Sequence, residues 1–185
     1  LNLVDSILVF FALSLRVFAI ALIAHVQRCL MVQDKIKFLA FFIGIPFSFF
    51  LLGDFISDCI KSNFESNSPL MIIGILGFLG ARLLWKALRL KPEQLFFDYT
   101  NSKVLIGTSI IASIDFLILG LSLPFMKADR QIVLILLLIF TLIAVLLGLN
   151  IGKKLIKFEL GNNLMLLGGI LLLGIAIKLS ILMLI

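Results

Sequence analysis

Six long apolar runs, at residues 3–25, 37–58, 69–88, 104–126, 131–151 and 163–184, take up nearly the whole of this 185-residue chain. A hydrocarbon core about 30 Å thick is crossed by roughly 20 apolar residues of helix, so each run is long enough to span it. With 62% hydrophobic residues and a mean hydropathy of +1.25, the solvent for most of the chain is lipid. The predicted fold class is an all-α integral membrane protein of six transmembrane helices. Little is left over for a soluble domain, so any function has to live between the helices or in short loops. The first run carries Arg16 and no small-residue cleavage site follows it, so it reads as a resident helix rather than a signal peptide.

The net charge of +6 suggests nucleic acid only until the charges are placed. If residue 1 faces outside, the loops on the inner side hold Arg28, Lys35, Lys37, Arg82, Lys86, Arg89, Lys91, Lys103, Lys153, Lys154 and Lys157, against Lys61, Lys127 and Arg130 outside. Eleven cations against three put both termini on the extracytoplasmic side of a cell inner or plasma membrane. The expected surroundings are a lipid bilayer and no nucleic acid, with a homodimer or a larger membrane complex left open. Cys29 and Cys59 fall by this assignment on opposite sides, so no disulfide and no zinc site is expected. His25, the one histidine, reads as an interfacial residue at the end of the first helix. No phosphate loop, nucleophile elbow or metal-spaced Cys/His set occurs, and nothing argues for an enzyme or a resident cofactor.

The halves resemble each other in order. Ser14-Leu15-Arg16 in the first run aligns with Ser113-Ile114-Asp115 in the fourth, and Leu52-Gly53-Asp54-Phe55-Ile56 in the second with Leu147-Gly148-Leu149-Asn150-Ile151 in the fifth. Gly74 and Gly80 match Gly168 and Gly174 in spacing. Three helices repeated once must insert with opposite orientations, the inverted-repeat plan of many secondary transporters, with sites near the midplane. The expected organisation is therefore a first repeat at 1–88, a cytoplasmic linker at 89–103 containing the only tyrosine, and a second repeat at 104–185.

Within lipid a single charge costs roughly 2.5–3.5 kcal/mol on insertion scales. Arg16 and Asp115 each lie about halfway along their helices, and facing each other they make a net-neutral pair. Thr108, Asp115 and Ser122 recur every seven residues and mark one polar stripe. The candidate residues of a substrate or ion pathway are Arg16, Asp115, Ser48, Thr108, Ser122, Asp54 and Asn150; Asp54 near a helix end also reads as a solvated residue, Asn150 as its repeat-related counterpart, and Lys178 as a side chain snorkelling to the surface. The bland alternative is that Arg16 and Asp115 form only an internal staple, because pairing alone satisfies both.

At ALSLRVFAIAL (12–22), TSIIASIDFLILGLSLPFM (108–126) and GLNIGKKLIKFELGNNLMLLGGILLLGIAIKL (148–179) the chain resembles the MntP-type manganese efflux pumps, small six-helix members of the lysine-exporter superfamily. The resemblance implies inverted three-helix repeats and a manganese path lined by helices 1, 2, 4 and 5, with manganese as substrate and not as cofactor. It assigns Asp115 as the acidic, metal-facing residue of helix 4. The matching position in helix 1 is Arg16, a reversal of sign, and in helix 2 only Ser48 offers a side-chain oxygen. Manganese prefers hard oxygen ligands, and a guanidinium in the same cavity repels a dication. Three readings follow: a cation exporter with a displaced site or a mobile Arg16, a non-transporting scaffold or subunit whose site has become a salt bridge, and an exporter of a small zwitterion such as an amino acid.

Overall fold

The structure, a computed structural model, describes residues 3–27, 32–64, 68–89, 99, 101–125, 129–152 and 159–184. The described chain forms α1 (Leu3–Gln27), α2 (Val32–Phe64), α3 (Ser68–Arg89), α4 (Ser102–Ser122), α5 (Arg130–Ile151) and α6 (Glu159–Leu184), with no strand among these residues. All six helices are long and apolar enough to cross a membrane.

Two boundaries differ from the hydropathy reading for local reasons. Helix α2 extends past its apolar run at both ends and carries Pro46 in its interior. A proline there cannot donate to the carbonyl four residues back, yet the helix runs on through it. The fourth run was expected to continue to residue 126. Its α-helix ends at Ser122 and tightens into a 3-10 turn at Leu123–Phe125, which contains Pro124. At the other end the Asn101 side chain accepts the amide of Lys103 at 3.0 Å and caps α4.

Helix α1 is enclosed, with Val9, Ala12, Leu13, Val17, Ala19 and Ala21 all buried. It lies against α5 and α6, while α2 lies against α4 and α3 against α6. Each of these pairings joins a helix before residue 90 to one after it. In lipid the surrounding solvent is as apolar as leucine, so close backbone approach and dispersion hold helices together. Two crossings show how near the backbones come. A Cβ on Gly53 of α2 would run into the carbonyl oxygen of Leu117 and the amide nitrogen of Leu121 on α4. A Cβ on Gly148 of α5 would meet the carbonyl oxygen of Phe18, at 2.8 Å, and the amide nitrogen of Leu22 on α1. Phe18 and Leu22 stand to Arg16 as Leu117 and Leu121 stand to Asp115, so these are the same contact made twice.

At the α3–α6 crossing, Gly80 receives Leu173 and Gly169 receives Leu84. This reciprocal contact pairs Gly80 with Gly169, whereas equal glycine spacing in the sequence had paired Gly80 with Gly174. Gly174 has open space where its side chain would be.

Of the linker at 89–103, residues 90–98 and 100 lie outside the described residues. Tyr99 is buried edge-on against Phe38 of α2, with ring centroids 6.0 Å apart, and Phe38 in turn stacks on Phe42. Burial pushes its phenol up to about 12.

Candidate functional site

Asp115 sits near the middle of α4 and is 1% exposed. Two arginines reach its carboxylate, Arg16 from α1 and Arg82 from α3. Arg16 is equally buried, and its guanidinium also donates to the backbone carbonyls of Ala112 and Ile111, at 3.4 Å each. The expected Arg16–Asp115 pair is thus present, and it is half of a larger cluster.

Arg82 was the residue that sequence reasoning missed. It was counted among the inner-side loop cations because Lys86 and Arg89 follow it closely. The structure instead turns its side chain inward to Asp115, so the centre carries two guanidiniums on one carboxylate. The available signal was that residue 82 falls inside the apolar run 69–88, several residues short of its end.

The polar stripe of α4 supplies less than its spacing promised. Ser122 is buried and donates to the Leu119 carbonyl at 2.7 Å. Thr108 bonds back to the carbonyls of Val104 and Leu105. The buried Ser109 and Ser113 hydroxyls likewise donate to the carbonyls four residues before them. The Thr108, Ser109 and Ser113 hydroxyls thus turn back onto their own helix. Ser48 of α2 is exposed and donates to Gly44 at 2.9 Å, so it adds no oxygen beside Asp115. Asn150 is exposed near the end of α5.

A second ionic cluster joins α2 to α5. Asp54 is 4% exposed, not solvated as its position near a helix end suggested. Arg130 holds it through Nε and Nη2 at 2.8 and 2.9 Å, and Nη2 also bonds Asp58 at 2.5 Å. The Lys178 side chain is half exposed, as snorkelling requires, and it also has a partner. Its ammonium lies 2.6 Å from Asp5, a buried residue of α1. His25 lies in the last turn of α1, at the end of the first span, and is buried there against Gly152 of α5. Cys59 is a free, exposed thiol, and Cys29 lies outside the described residues.

Charge decides what the centre accepts. At about 4 Å and an effective dielectric of about 20, each pair of unit charges is worth about 4 kcal/mol. A dication beside Asp115 gains about 8 kcal/mol from the carboxylate and loses about 16 to the two guanidiniums. While both arginines stay in place, the site rejects a divalent cation. No group of three or more His, Cys, Asp or Glu side chains that could hold a metal occurs among the described residues. Neither of two cavities, about 430 Å³ along α3 and about 340 Å³ between α1, α5 and α6, is lined by Arg16 or Asp115.

Six membrane-crossing helices around a buried ionic centre define a small multi-pass membrane protein of transporter type, set in a lipid bilayer. The chain belongs to the family described as "Putative manganese efflux pump", whose model matches residues 29–180. Curated relatives named "Putative manganese efflux pump MntP" include one from Elusimicrobium minutum, 29% identical over 167 residues, which cover 90% of each chain. One from Clostridium botulinum (strain Loch Maree) is 28% identical over 98% of this chain and 95% of the relative. One from Methanosarcina mazei is 27% identical over 80% of this chain and 78% of the relative. No solved structure matches the chain.

Proposed function

We propose that this chain exports a divalent cation of the manganese type, and that Arg16 and Arg82 occupy Asp115 as resident counter-ions whenever the cargo is absent. The observation that carries the reading is the double clamp itself. Asp115 is the central carboxylate, and each of its partners comes from the other half of the chain. A carboxylate shut off from water needs a cation or a proton to answer it. The arginines supply it in the closed state, and a dication takes it over only as they swing away. The long 3.4 Å bonds from Arg16 to Ala112 and Ile111 suit a side chain that exchanges partners.

In this reading the two halves are inverted repeats, residues 1–88 and 104–185, working about Asp115. The matched crossings at Gly53 and Gly148 support it. Both termini lie outside the cell by the charge asymmetry, and the chain moves its substrate without chemical change. Asp54 with Arg130 closes the outer end of the α2–α5 contact.

A second reading is favoured by the burial of Arg16 and Asp115: with Arg82 they act only as a lock in a non-transporting subunit. Manganese efflux from cells lacking their own exporter separates the two. Export by the unmodified chain that disappears in Asp115→Asn supports the pump. No export by the unmodified chain, with export gained in Arg16→Asp, supports a switched-off site. The zwitterion reading requires instead that amino-acid efflux, and not manganese efflux, depends on both Arg16 and Asp115.

A further inference from the structure

Helix α3 has two unlike faces. Ile72, Leu76, Leu79, Leu83 and Ala87 form a buried stripe that holds it to the bundle. The opposite face carries Phe78 and Trp85, 59% and 61% exposed, and a groove of about 430 Å³ lined by Phe78, Ala81, Arg82, Trp85 and Lys86. Arg82, Lys86 and Arg89 follow one another at helical spacing toward the end of the helix, and the Arg89 guanidinium lies over the Trp85 ring at 4.3 Å.

The charges in this groove do not balance. Arg82 shares Asp115 with Arg16, so three cations, counting Lys86, draw on one carboxylate. The Lys86 ammonium is buried and has no hydrogen-bond partner. Buried cations in a membrane protein carry a large desolvation cost unless something answers them. By helical rise, Lys86 lies about 5 Å and Arg82 about 10 Å inside the end of α3, within reach of the headgroup layer for a long flexible stem.

We propose that this groove binds an anionic phospholipid, its phosphate answering Lys86 and Arg82 and an acyl chain lying along Phe78, Ala81 and Trp85. Charge complementarity selects the occupant. An apolar, lipid-facing trough that ends at the unanswered Lys86, beside an Arg82 that shares its one carboxylate with Arg16, fits a molecule with an apolar tail and an anionic head, and a neutral zwitterionic lipid brings its own cation to the same place. The four-carbon stem of Lys86 turns its ammonium into the groove when the phosphate arrives. The groove shares Arg82 with the clamp on Asp115, whereas Lys86 belongs to the groove alone, so Lys86 is the residue that tests it.

The test is retention of phosphatidylglycerol against phosphatidylcholine of the same acyl chains by the purified chain in detergent, read by native mass spectrometry. The unmodified chain is expected to retain phosphatidylglycerol preferentially. Lys86→Gln should lower that preference about fivefold, the equivalent of one cation near a lipid surface. Lys86→Arg should keep it, and so should Lys37→Gln, which removes a charge from an exposed position on α2. Trp85→Ala, at an exposed position, should weaken retention of both lipids without moving the unfolding temperature, and so tests the groove even if Lys86→Gln fails to fold. Equal retention of the two lipids by the unmodified chain, or a preference unchanged in Lys86→Gln, overturns the proposal. Displacement of the lipid by inorganic phosphate at the same concentration also overturns it, because the site would then serve a soluble anion.

Discussion

The ionic clusters at Asp115 and at Arg130 are mirror images in composition and opposites in setting. One has two arginines on a single carboxylate, with Arg16 and Asp115 buried. The other has two carboxylates on a single arginine, with half of Arg130 and half of Asp58 exposed. The same pairing chemistry therefore has different consequences. Water can answer a charge left over at the rim, while a charge left over at the centre has only protein and lipid around it.

The largest expected effect follows from that contrast. Asp115→Asn leaves two guanidiniums without a counter-charge and should cost about 3–5 kcal/mol, as the loss of one partner from a buried pair does. Thermal unfolding in detergent measures it. Arg16→Leu should cost clearly less, because Asp115 keeps Arg82. An equal loss in both would mean that Arg82 does not hold the carboxylate.

Backbone crossings come next. Gly148→Ala and Gly53→Ala each force a methyl against backbone atoms that cannot yield, and each should destabilise by about 1–3 kcal/mol. Gly74→Ala, at an exposed site with open space, should leave the unfolding temperature unchanged or slightly higher. Unequal losses at Gly53 and Gly148 would break the match between the two crossings.

At the rim, Asp58→Asn should cost under about 1 kcal/mol and lose even that at high salt, since the pair is half exposed. A loss near that of Asp115→Asn would erase the distinction between rim and centre. The effect at Tyr99 is absent at neutral pH and shows only in alkali. Its phenol, neutral in the fold up to about pH 12, ionises in the unfolded chain near the ordinary value of about 10. The folded form thus holds the extra proton between these values, and stability declines as pH rises from about 10 to about 12. Tyr99 is the only tyrosine, so phenolate absorbance follows it directly.

Hydropathy located all six helices, because lipid imposes one length and one composition on every span. Arg16 with Asp115 was legible for a related reason: two opposite charges inside apolar runs have few places to go but each other. Arg82 was not, because a cation followed by Lys86 and Arg89 looks like any helix end at an interface. Asp54 and Lys178 read as single residues in the sequence, and Arg130 as a loop cation. Their partners come from helices that are not neighbours in the chain, and no local pattern records such a meeting. The family resemblance points to Ser48 as the side-chain oxygen of the second helix, but the face it occupies on α2 is exposed.

The ion pairs of Arg16, Arg82, Arg130 and Lys178 all join the first half of the chain to the second. Synthesis runs from the N-terminus, so Arg16 and Arg82 are made before the one carboxylate that answers them, and Asp5 waits for nearly the whole chain. A nascent polypeptide stalled after α3 would therefore hold two uncompensated guanidiniums. The arrival of α4 brings the carboxylate that answers both, while α5 and α6, against which α1 and α3 pack, are made later still.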